Sequence, residues 1–316
     1  MSVFKMGEVK ALYTFDTKFW RMAAVAINSL MAHRADDTDI TVYCMVAPRT
    51  RGKKQIQEII EAKGGKLVWR EIRRSENPYR NYDYSRWSPV IFYRLFAHRI
   101  FPDVEKLLYM DSDTLVRDDL SEMYATDISG YALGGVRDMA PTDDENSYAG
   151  KYVREFKEKY LKHDLYINSG VLLLNLPMMA QSEGDLAAVD IPLRYPDQDI
   201  INAALDGKIL EMHLRYNFIP DRLASRKFKQ ADFKYATKKP AIYHFYAVKP
   251  FLYHIVPRNT YEVFARAALE VGFYPEDFIA QGKRTKNSRQ RTAIPFVTLD
   301  KYGSVRFLGM YILRNR

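Results

Sequence analysis

The sequence has a single cysteine, no long apolar run, and no internal repeat or low-complexity block. Because Cys44 has no possible partner within the 316 residues, an intrachain disulfide and a cysteine metal cluster are excluded, and a reducing compartment is favoured. Nowhere do about 18 apolar residues follow one another, as a membrane-spanning helix requires, and the first ten residues have no apolar core. We therefore expect a cytoplasmic protein without a secretion signal or a membrane span.

Basic residues exceed acidic ones, and the excess lies almost entirely near the C-terminus. The formal net charge is +9, and residues 281–316 hold nine Lys or Arg against Asp300 alone, a local net of +8. Aromatic residues are interleaved with these charges, and the chain has no recognisable nucleic-acid motif. The pattern predicts a globular domain over 1–280 and a basic, aromatic tail over 281–316 that meets an anionic surface, such as the cytoplasmic face of an inner membrane. A solvated or sheet-completing C-terminus is the alternative.

Strand-like and helix-like segments alternate along most of the chain, and its 47% hydrophobic content is ample for a core. Such alternation is typical of an α/β fold with a mostly parallel central sheet and helices on both faces. A polar turn at 168–170 is expected to lead into one of the strands. Periodicity predicts strands at 9–14, 39–46, 67–69, 107–110, 131–136 and 171–174, and helices near 18–33, 55–60, 91–96, 152–161 and 200–205.

The stretch 107–115 (LLYMDSDTL) is the centre of the predicted site. Asp111 and Asp113 directly follow a short apolar strand, at the end where open α/β sheets bind their ligands. Since residues at i and i+2 of an extended segment point the same way, the two carboxylates could bind one hard divalent cation. The Asp-x-Asp spacing alone is weak evidence, because it occurs three times in the chain. Only this copy follows an apolar run.

A third metal ligand is available at the end of another apolar run. His244 ends the segment 241–244, as the aspartate pair ends its own strand. An imidazole beside two carboxylates favours Mn²⁺, with Mg²⁺ as the alternative, because mixed nitrogen and oxygen ligation suits the softer ion. An ordinary polar residue at a strand end is the competing interpretation of His244.

Four further polar residues each have two interpretations. Lys249 would either pair with a phosphate or lie in a turn. Asp197 and Gln198 open a short helix, where an aspartate usually caps the backbone and substrate contact is the alternative. Arg94 lies in the predicted helix 91–96, where a surface salt bridge is the default.

The aspartate stretch also fits phosphatases of the haloacid-dehalogenase type, in which the first aspartate is a nucleophile and the cation is Mg²⁺. Gly184-Asp185 imitates the distal acidic motif of those enzymes, but it does not follow an apolar strand. That interpretation also leaves Asn168, Gln198 and His244 without a role. A phosphatase is therefore one alternative function.

Six short motifs occur in order between residues 11 and 250. They are YTFD at 13–16, YRL at 93–95, LYMDSD at 108–113, NSGVLL at 168–173, DQDIIN at 197–202 and HFYAVKP at 244–250. In order and spacing they resemble glycosyltransferase family 8, in particular bacterial retaining sugar transferases related to lipopolysaccharide galactosyl- and glucosyltransferases. The resemblance implies a single A-type, Rossmann-like domain that uses Mn²⁺ to move a hexose from UDP-glucose or UDP-galactose to a glycan or lipid-linked acceptor. A non-catalytic sugar-nucleotide binding module is the second alternative function.

The resemblance also implies three sets of site residues. Asp111, Asp113 and His244 would bind the metal. Asp197 and Gln198 would be the catalytic pair, in which Asp197 holds the donor sugar and Gln198 lies beneath the anomeric carbon of that sugar. Two positions depart from the family, since Ala247 stands where glycine is usual and Lys18 replaces a small polar residue. The implied donor-binding residues are Thr14 and Asp16 at uridine, Phe19 stacked on uracil, Arg94, Asp138 and Asn168 at the sugar, Lys249 at phosphate, and Ser112.

Overall fold

The computed structural model describes residues 7–84, 87–139, 148–219, 238–246, 258–274, 277–278, 297–299, 305–307 and 310–313. The chain forms two compact units, Met1–Ala247 and Val248–Arg316. The predicted domain boundary after residue 280 lies inside the second unit and stays a prediction. Within the described ranges, no helix combines the length and the apolar character that crossing a bilayer requires.

The described strands and helices of the first unit follow the predicted alternation. The strands are β1 (Glu8–Phe15), β2 (Asp39–Val46), β3 (Lys66–Glu71), β4 (Lys106–Met110), β5 (Thr114–Val116), β6 (Leu133–Arg137), β7 (Ile167–Asn175), β8 (Ile209–Glu211) and β9 (Ile242–His244). The helices are α1 (Trp20–Ala32), α2 (Lys53–Ala62), α3 (Ala97–Ile100), α4 (Ser121–Ala125), α5 (Tyr148–Tyr160), α6 (Leu176–Gln181), α7 (Glu183–Ala187) and α8 (Pro196–Ala204). Short 3₁₀ helices span Arg74–Glu76, Pro89–Phe96 and Leu214–Asn217.

Seven strands form one sheet in the order β3-β2-β1-β4-β7-β6-β8. Strands β1, β2, β3 and β4 run parallel, and β6 runs parallel to β8, whereas β7 is antiparallel to both of its neighbours. The predicted mostly parallel α/β sheet is therefore confirmed. The reversal of β7 places its first residues beside the last residues of β4 and β6.

Both faces of the sheet are buried. Because successive side chains of a strand point to opposite faces, each strand contributes residues to both. One face packs against the Pro89–Phe96 helix and against α6, α7 and α8. Its strand residues include Leu12, Met45, Leu107, Tyr109, Leu172 and Leu174. The opposite face is equally buried and includes Ala11, Tyr13, Leu108, Met110, Val171 and Leu173. Helix α1 contacts β1 and β5, so helices cover the sheet as predicted.

A second, two-stranded sheet brings a distant segment to the end of β4. Strand β5 pairs antiparallel with β9, and the register sets Thr114 opposite His244. The main-chain NH of Phe245 donates to the carbonyl of Asp113 at 2.9 Å, which extends this pairing toward the aspartates. His244 is thus fixed beside a carboxylate pair that lies more than 100 residues earlier in the sequence.

Two local predictions were wrong in detail. Asp111 and Asp113 do not lie in an extended segment, because residues 111–114 form a turn in which the Thr114 NH donates to the Asp111 carbonyl at 3.2 Å. The polar residues 168–170 do not form a turn but are the first part of β7. At 168–170 the pairing with β6, which a local pattern cannot reveal, makes the segment a strand.

The second unit is described by a helix and three short strands. Helix α9 spans Arg258–Glu270, and β10 (Val297–Leu299), β11 (Val305–Phe307) and β12 (Met310–Leu313) form an antiparallel sheet in that order. The predicted basic tail therefore contains a sheet of its own.

Candidate functional site

The ends of four strands meet at one edge of the large sheet. Strands β1, β4 and β6 end there, and β7 begins there because it runs the other way. The main-chain NH of Asp111 donates to the Gly170 carbonyl at 2.8 Å, which joins the end of β4 to the start of β7. Most of the predicted site residues are carried by these strand ends or by the first turn of α8.

Asp111, Asp113 and His244 form one cluster, in which each offers a ligand atom within 4.8 Å of the others. His244 Nε2 lies 3.4 Å from Asp113 Oδ1 and 3.6 Å from Asp111 Oδ2. The His244 side chain is 1% exposed, whereas that of Asp111 is 25% exposed and borders solvent. A buried nitrogen beside two carboxylates, open on one side, is an arrangement that fits a divalent cation.

Two further observations fit a metal at this cluster. Among the described residues, the buried His244 Nε2 has no hydrogen-bond partner, which is costly unless the nitrogen binds something else. Gly170 leaves the space for the imidazole ring, because a Cβ at that position would lie 2.1 Å from His244 Cε1. The donor set of two carboxylate oxygens and one imidazole nitrogen suits Mn²⁺ or Mg²⁺.

Arg94 is not a surface residue but lies 4% exposed between two carboxylates. Its Nη2 lies 2.8 Å from Asp111 Oδ1, its Nη1 lies 3.4 Å from Asp197 Oδ2, and Nη1 donates to the Ser169 carbonyl at 2.6 Å. The guanidinium also stacks over Tyr109 with 4.1 Å to the ring centre. Arg94 therefore ties the metal cluster to the first turn of α8.

The charges in this cluster shift one another's pKa values. Burial alone would raise the pKa of Asp111, but Arg94, His244 and the Tyr109 hydroxyl outweigh it and hold that pKa below its usual range. Burial would lower the pKa of Arg94, but Asp111, Tyr109 and Asp197 raise it overall. Burial, with the nearby Asp111 charge, raises the pKa of Asp197 despite the opposing effect of Arg94. Asp111 is consequently ionised and ready to bind a cation.

Gln198 lies among three other polar residues of the site. Its Oε1 accepts hydrogen bonds from Asn168 Nδ2 and from the Ser169 NH, both at 3.1 Å, and its Nε2 donates to Asp138 Oδ2 at 2.9 Å. Asp197 accepts a hydrogen bond from Ser169 Oγ at 2.8 Å. These bonds join α8 to β7 and to the residue after β6, so the predicted sugar-binding residues lie together.

Asp197 does not have the alternative role of a helix cap. Tyr195 occupies the N-cap position of α8, and no side-chain cap bond is present there. The Asp197 carboxylate instead faces Ser169 and Arg94 across the site.

The predicted nucleotide-binding residues lie at the end of β1. The Thr14 hydroxyl is 3.2 Å from the Tyr109 hydroxyl, and Ser112 Oγ donates to the Thr14 carbonyl at 3.3 Å. Asp16 accepts from the Lys18 NH at 2.8 Å and from Ser88 Oγ at 2.7 Å. Phe19, at the N-cap of α1, is partly exposed and lies beneath the Lys18 ammonium at 5.4 Å. The Lys18 departure thus places a cation at the predicted stacking ring.

Lys249, the predicted phosphate-binding residue, lies outside the described part of the chain, as does Ala247.

Sequence reasoning missed two residues of the site. They are Tyr109, which donates to Asp111, and Asn217, which contacts His244. The alternation of the apolar strand gave no sign that the Tyr109 hydroxyl would meet the carboxylate, and Asn217 lies in a segment without any motif.

The phosphatase alternative lacks its distal acidic group among the described residues. Asp185 lies in α7 with its side chain 56% exposed, and it pairs with Lys208 at 2.7 Å. The Asp111 cluster is completed instead by His244.

Solved structures share this architecture. The galactosyltransferase LgtC in complex with donor and acceptor sugar analogues superposes over 87% of this chain and 100% of that chain, with a TM-score of 0.69 and 22% identity. The WbbM bifunctional glycosyltransferase covers 89% of this chain and 53% of that one, with a TM-score of 0.72 and 19% identity. These likenesses confirm the predicted A-type fold.

Curated relatives are similar over part of the sequence. A lipopolysaccharide 1,2-glucosyltransferase of Escherichia coli is 30% identical over 140 residues, which are 42% of this chain and 39% of that protein. A putative glycosyltransferase of Haemophilus influenzae is 30% identical over 139 residues, 42% of this chain and 40% of that protein. The chain thus spans about two fifths of the length of these relatives. General stress protein A of Bacillus subtilis is 22% identical over 251 residues, 73% of this chain and 82% of that protein.

The family match covers the whole site. It extends over residues 10–254, from β1 past His244, and therefore includes all six motifs. The chain belongs to glycosyl transferase family 8.

Proposed function

We propose that this chain transfers a hexose from a UDP-sugar to a glycan or glycolipid acceptor, with retention of the anomeric configuration. The observation that carries the proposal is the Asp111, Asp113 and His244 cluster, in which the buried His244 Nε2 has no hydrogen-bond partner within the described part of the chain. The same cluster is tied through Arg94 to Asp197, beside Gln198. A cation site that adjoins buried polar side chains suits a donor that has both a diphosphate and a sugar.

Asp111, Asp113 and His244 would hold a Mn²⁺ ion, with Mg²⁺ as the less favoured choice for a site with an imidazole ligand. When bound, such a cation supplies positive charge that stabilises the diphosphate of the departing UDP. Arg94 keeps Asp111 ionised and fixes its Oδ1, so that Oδ2 faces His244. Lys249 would add positive charge at the phosphate.

The end of β1 would hold the nucleotide. Thr14 and Asp16 face the same edge as the metal cluster and offer polar atoms to uridine. Phe19 is partly exposed there and would stack on the uracil ring. Ser112, between the two metal-binding carboxylates, would contact the donor as well. Asp138, Asn168, Asp197 and Arg94 would hold the sugar.

The hydrogen bonds of Gln198 favour a front-face reaction. Both acceptor positions of its Oε1 are used by Asn168 Nδ2 and the Ser169 NH, and an amide oxygen is a weak nucleophile. The acceptor hydroxyl would attack the anomeric carbon on the face of the leaving group. The new bond joins the acceptor oxygen to that carbon, the carbon–phosphate oxygen bond breaks, and the hydroxyl proton passes to the leaving phosphate oxygen. Gln198 would stabilise the positive sugar carbon from below.

A lipid-linked glycan is the acceptor class that the charge distribution favours. Residues 281–316 have a net charge of +8, and each basic residue near an anionic bilayer contributes about 1 kcal/mol to binding. The Escherichia coli relative is a lipopolysaccharide 1,2-glucosyltransferase, which acts on a lipid-anchored glycan by its name. We infer a peripheral protein on the cytoplasmic face of a membrane, without nucleic acid as a partner.

A screen of UDP-sugars for UDP release with Mn²⁺ tests the function, and UDP-glucose and UDP-galactose are the first donors to compare. We expect slow hydrolysis without acceptor and little action on p-nitrophenyl phosphate. Mg²⁺-dependent phosphatase activity that Asp111→Asn abolishes, with no UDP release from any donor, would replace this proposal. Tight UDP-sugar binding without turnover on any acceptor would favour the binding-module alternative.

A further inference from the structure

Asn217 is a buried amide that contacts the predicted metal ligand directly. It ends the 3₁₀ helix Leu214–Asn217, and it is 1% exposed. Its Oδ1 lies 2.8 Å from His244 Nδ1, and its Nδ2 donates to Asn168 Oδ1 at 2.9 Å. The side chain therefore lies between the metal cluster and the residues at the predicted sugar site.

Main-chain donors fix the orientations of Asn168 and Gln198, and Asn168 in turn fixes that of Asn217. The Gly170 NH can only donate, and it lies 3.0 Å from the Asn168 atom that also faces Asn217, so that Asn168 atom is the oxygen. The Asn217 atom 2.9 Å from that oxygen must then be the NH₂ group. The Ser169 NH fixes Gln198 Oε1 in the same way.

The orientation of Asn217 decides which nitrogen of His244 has the proton. Since Asn217 NH₂ faces Asn168, its carbonyl oxygen faces His244 Nδ1, which must donate. Nε2 then faces Asp111 and Asp113 and is the ring nitrogen through which His244 would bind a cation.

We propose that Asn217 is a positioning residue that holds His244 as the Nδ1–H tautomer, with its Nε2 lone pair directed at the metal. Partners of this kind fix the orientation of a metal-binding histidine and raise its basicity. The inference rests on the metal function proposed above, but the tautomer of His244 is a property of the protein alone.

The same hydrogen bonds continue beyond Asn217 in one direction. His244 donates to Asn217, Asn217 to Asn168, Asn168 to Gln198, and Gln198 to the Asp138 carboxylate. A run of amide donors that ends on an anion polarises each bond in the same sense. The metal ligand and the predicted sugar-binding residues therefore share one hydrogen-bonded structure.

Nitrogen-15 NMR of the full-length protein, without metal, tests the tautomer directly. We expect His244 Nδ1 to be protonated and hydrogen-bonded to the Asn217 side-chain oxygen. A protonated Nε2 with a bare Nδ1 would overturn the proposal. This measurement uses the unaltered chain, so it decides the matter even where a variant does not fold.

Variants of Asn217 test the consequence for metal binding, with Mn²⁺ measured by electron paramagnetic resonance in the presence of UDP. Asn217→Leu should weaken Mn²⁺ binding about 10- to 100-fold, because such partners contribute that much to affinity. Asn217→Asp keeps an acceptor for His244 Nδ1 and should recover most of the loss. Binding by folded Asn217→Leu within twofold of wild type, or equal losses in both variants, would refute the positioning role.

Asn175→Leu is the matched control, because Asn175 lies at the other end of β7 and bonds to Ile128 and Met178 instead. It should lower the unfolding temperature without changing the affinity for Mn²⁺. If the wild-type protein binds no Mn²⁺ with UDP, the proposed function fails, whereas the NMR result still decides the tautomer.

Discussion

Gly170 and His244 lie so close that a side chain at position 170 would occupy the place of the imidazole ring. A Cβ on Gly170 would be 2.1 Å from His244 Cε1 and 2.8 Å from both ring nitrogens. Glycine in a strand interior usually weakens the strand, and here it permits the approach of a ring to the backbone. The start of β7 is thus one wall of the predicted metal site.

Gly170→Ala should therefore displace His244 and weaken Mn²⁺ binding with UDP about tenfold or more, with about 1–3 kcal/mol less stability from overpacking. Calorimetric titration and chemical unfolding measure the two effects. Gly184→Ala is the control, because nothing lies within 4 Å of its added Cβ in α7 and alanine favours a helix. Unchanged Mn²⁺ affinity in folded Gly170→Ala would contradict the close packing described here.

Asp113→Ala and His244→Ala should each lower Mn²⁺ affinity and turnover by at least on the order of 100-fold while leaving the chain folded. Loss of a residue that only hydrogen-bonds to a metal ligand already lowers metal affinity about 10–100-fold, so loss of a ligand itself must cost at least as much. Electron paramagnetic resonance and a UDP-release assay measure the change. Asp37→Ala, in an exposed Asp-x-Asp copy, should have no effect. Wild-type turnover in either site variant would rule out the triad.

Asp197→Ala and Gln198→Ala should reduce turnover about 100-fold or more while UDP binds nearly as before, because both residues are assigned to the sugar. UDP titration and steady-state rates separate the two effects. A purely structural role for Asp197, through its hydrogen bond with Ser169, would instead lower stability by about 1 kcal/mol and leave the turnover of the folded protein intact. Equal losses of UDP affinity and turnover would move both residues to the nucleotide site.

The basic tail should bind vesicles that contain anionic lipid, and the binding should weaken as salt increases. Neutralising five of its cations while keeping the whole chain should abolish pelleting without lowering UDP release. Neutral vesicles are the control. Equal, negligible pelleting of the wild-type and the neutralised protein on anionic vesicles would eliminate the membrane role. The residues to replace by glutamine are Lys283, Arg284, Lys286, Arg289 and Arg291.

Cys44 should not react with thiol reagents in the native protein. It is the only cysteine in the sequence and is fully buried in β2, and burial raises the pKa of its thiol. Labelling at pH 8 should follow unfolding in guanidinium chloride, and the same single site should then react completely. Rapid labelling without denaturant would show that β2 opens locally and would contradict its place inside the sheet.

The sequence by itself predicted most of the element types and the candidate metal-binding residues. Short apolar runs predicted the central strands, because burial on both faces of a sheet requires apolar residues at successive positions. Two aspartates after one strand and a histidine after another predicted a cation site, since ligands gather at strand ends. The strand at 39–46 and the helix within 18–33 lie where the pattern indicated.

Tertiary structure alone decided how the ligands meet. The antiparallel direction of β7 brings Asn168 and Gly170 to the end of β4, and the sequence of a buried strand does not show its direction. Pairing of β5 with β9 sets His244 opposite Thr114, which depends on contacts between segments far apart in the chain. Asn217 also belongs to the site because of contacts between segments far apart in the chain. Its orientation follows from backbone donors of β7, and only the folded chain brings these donors together.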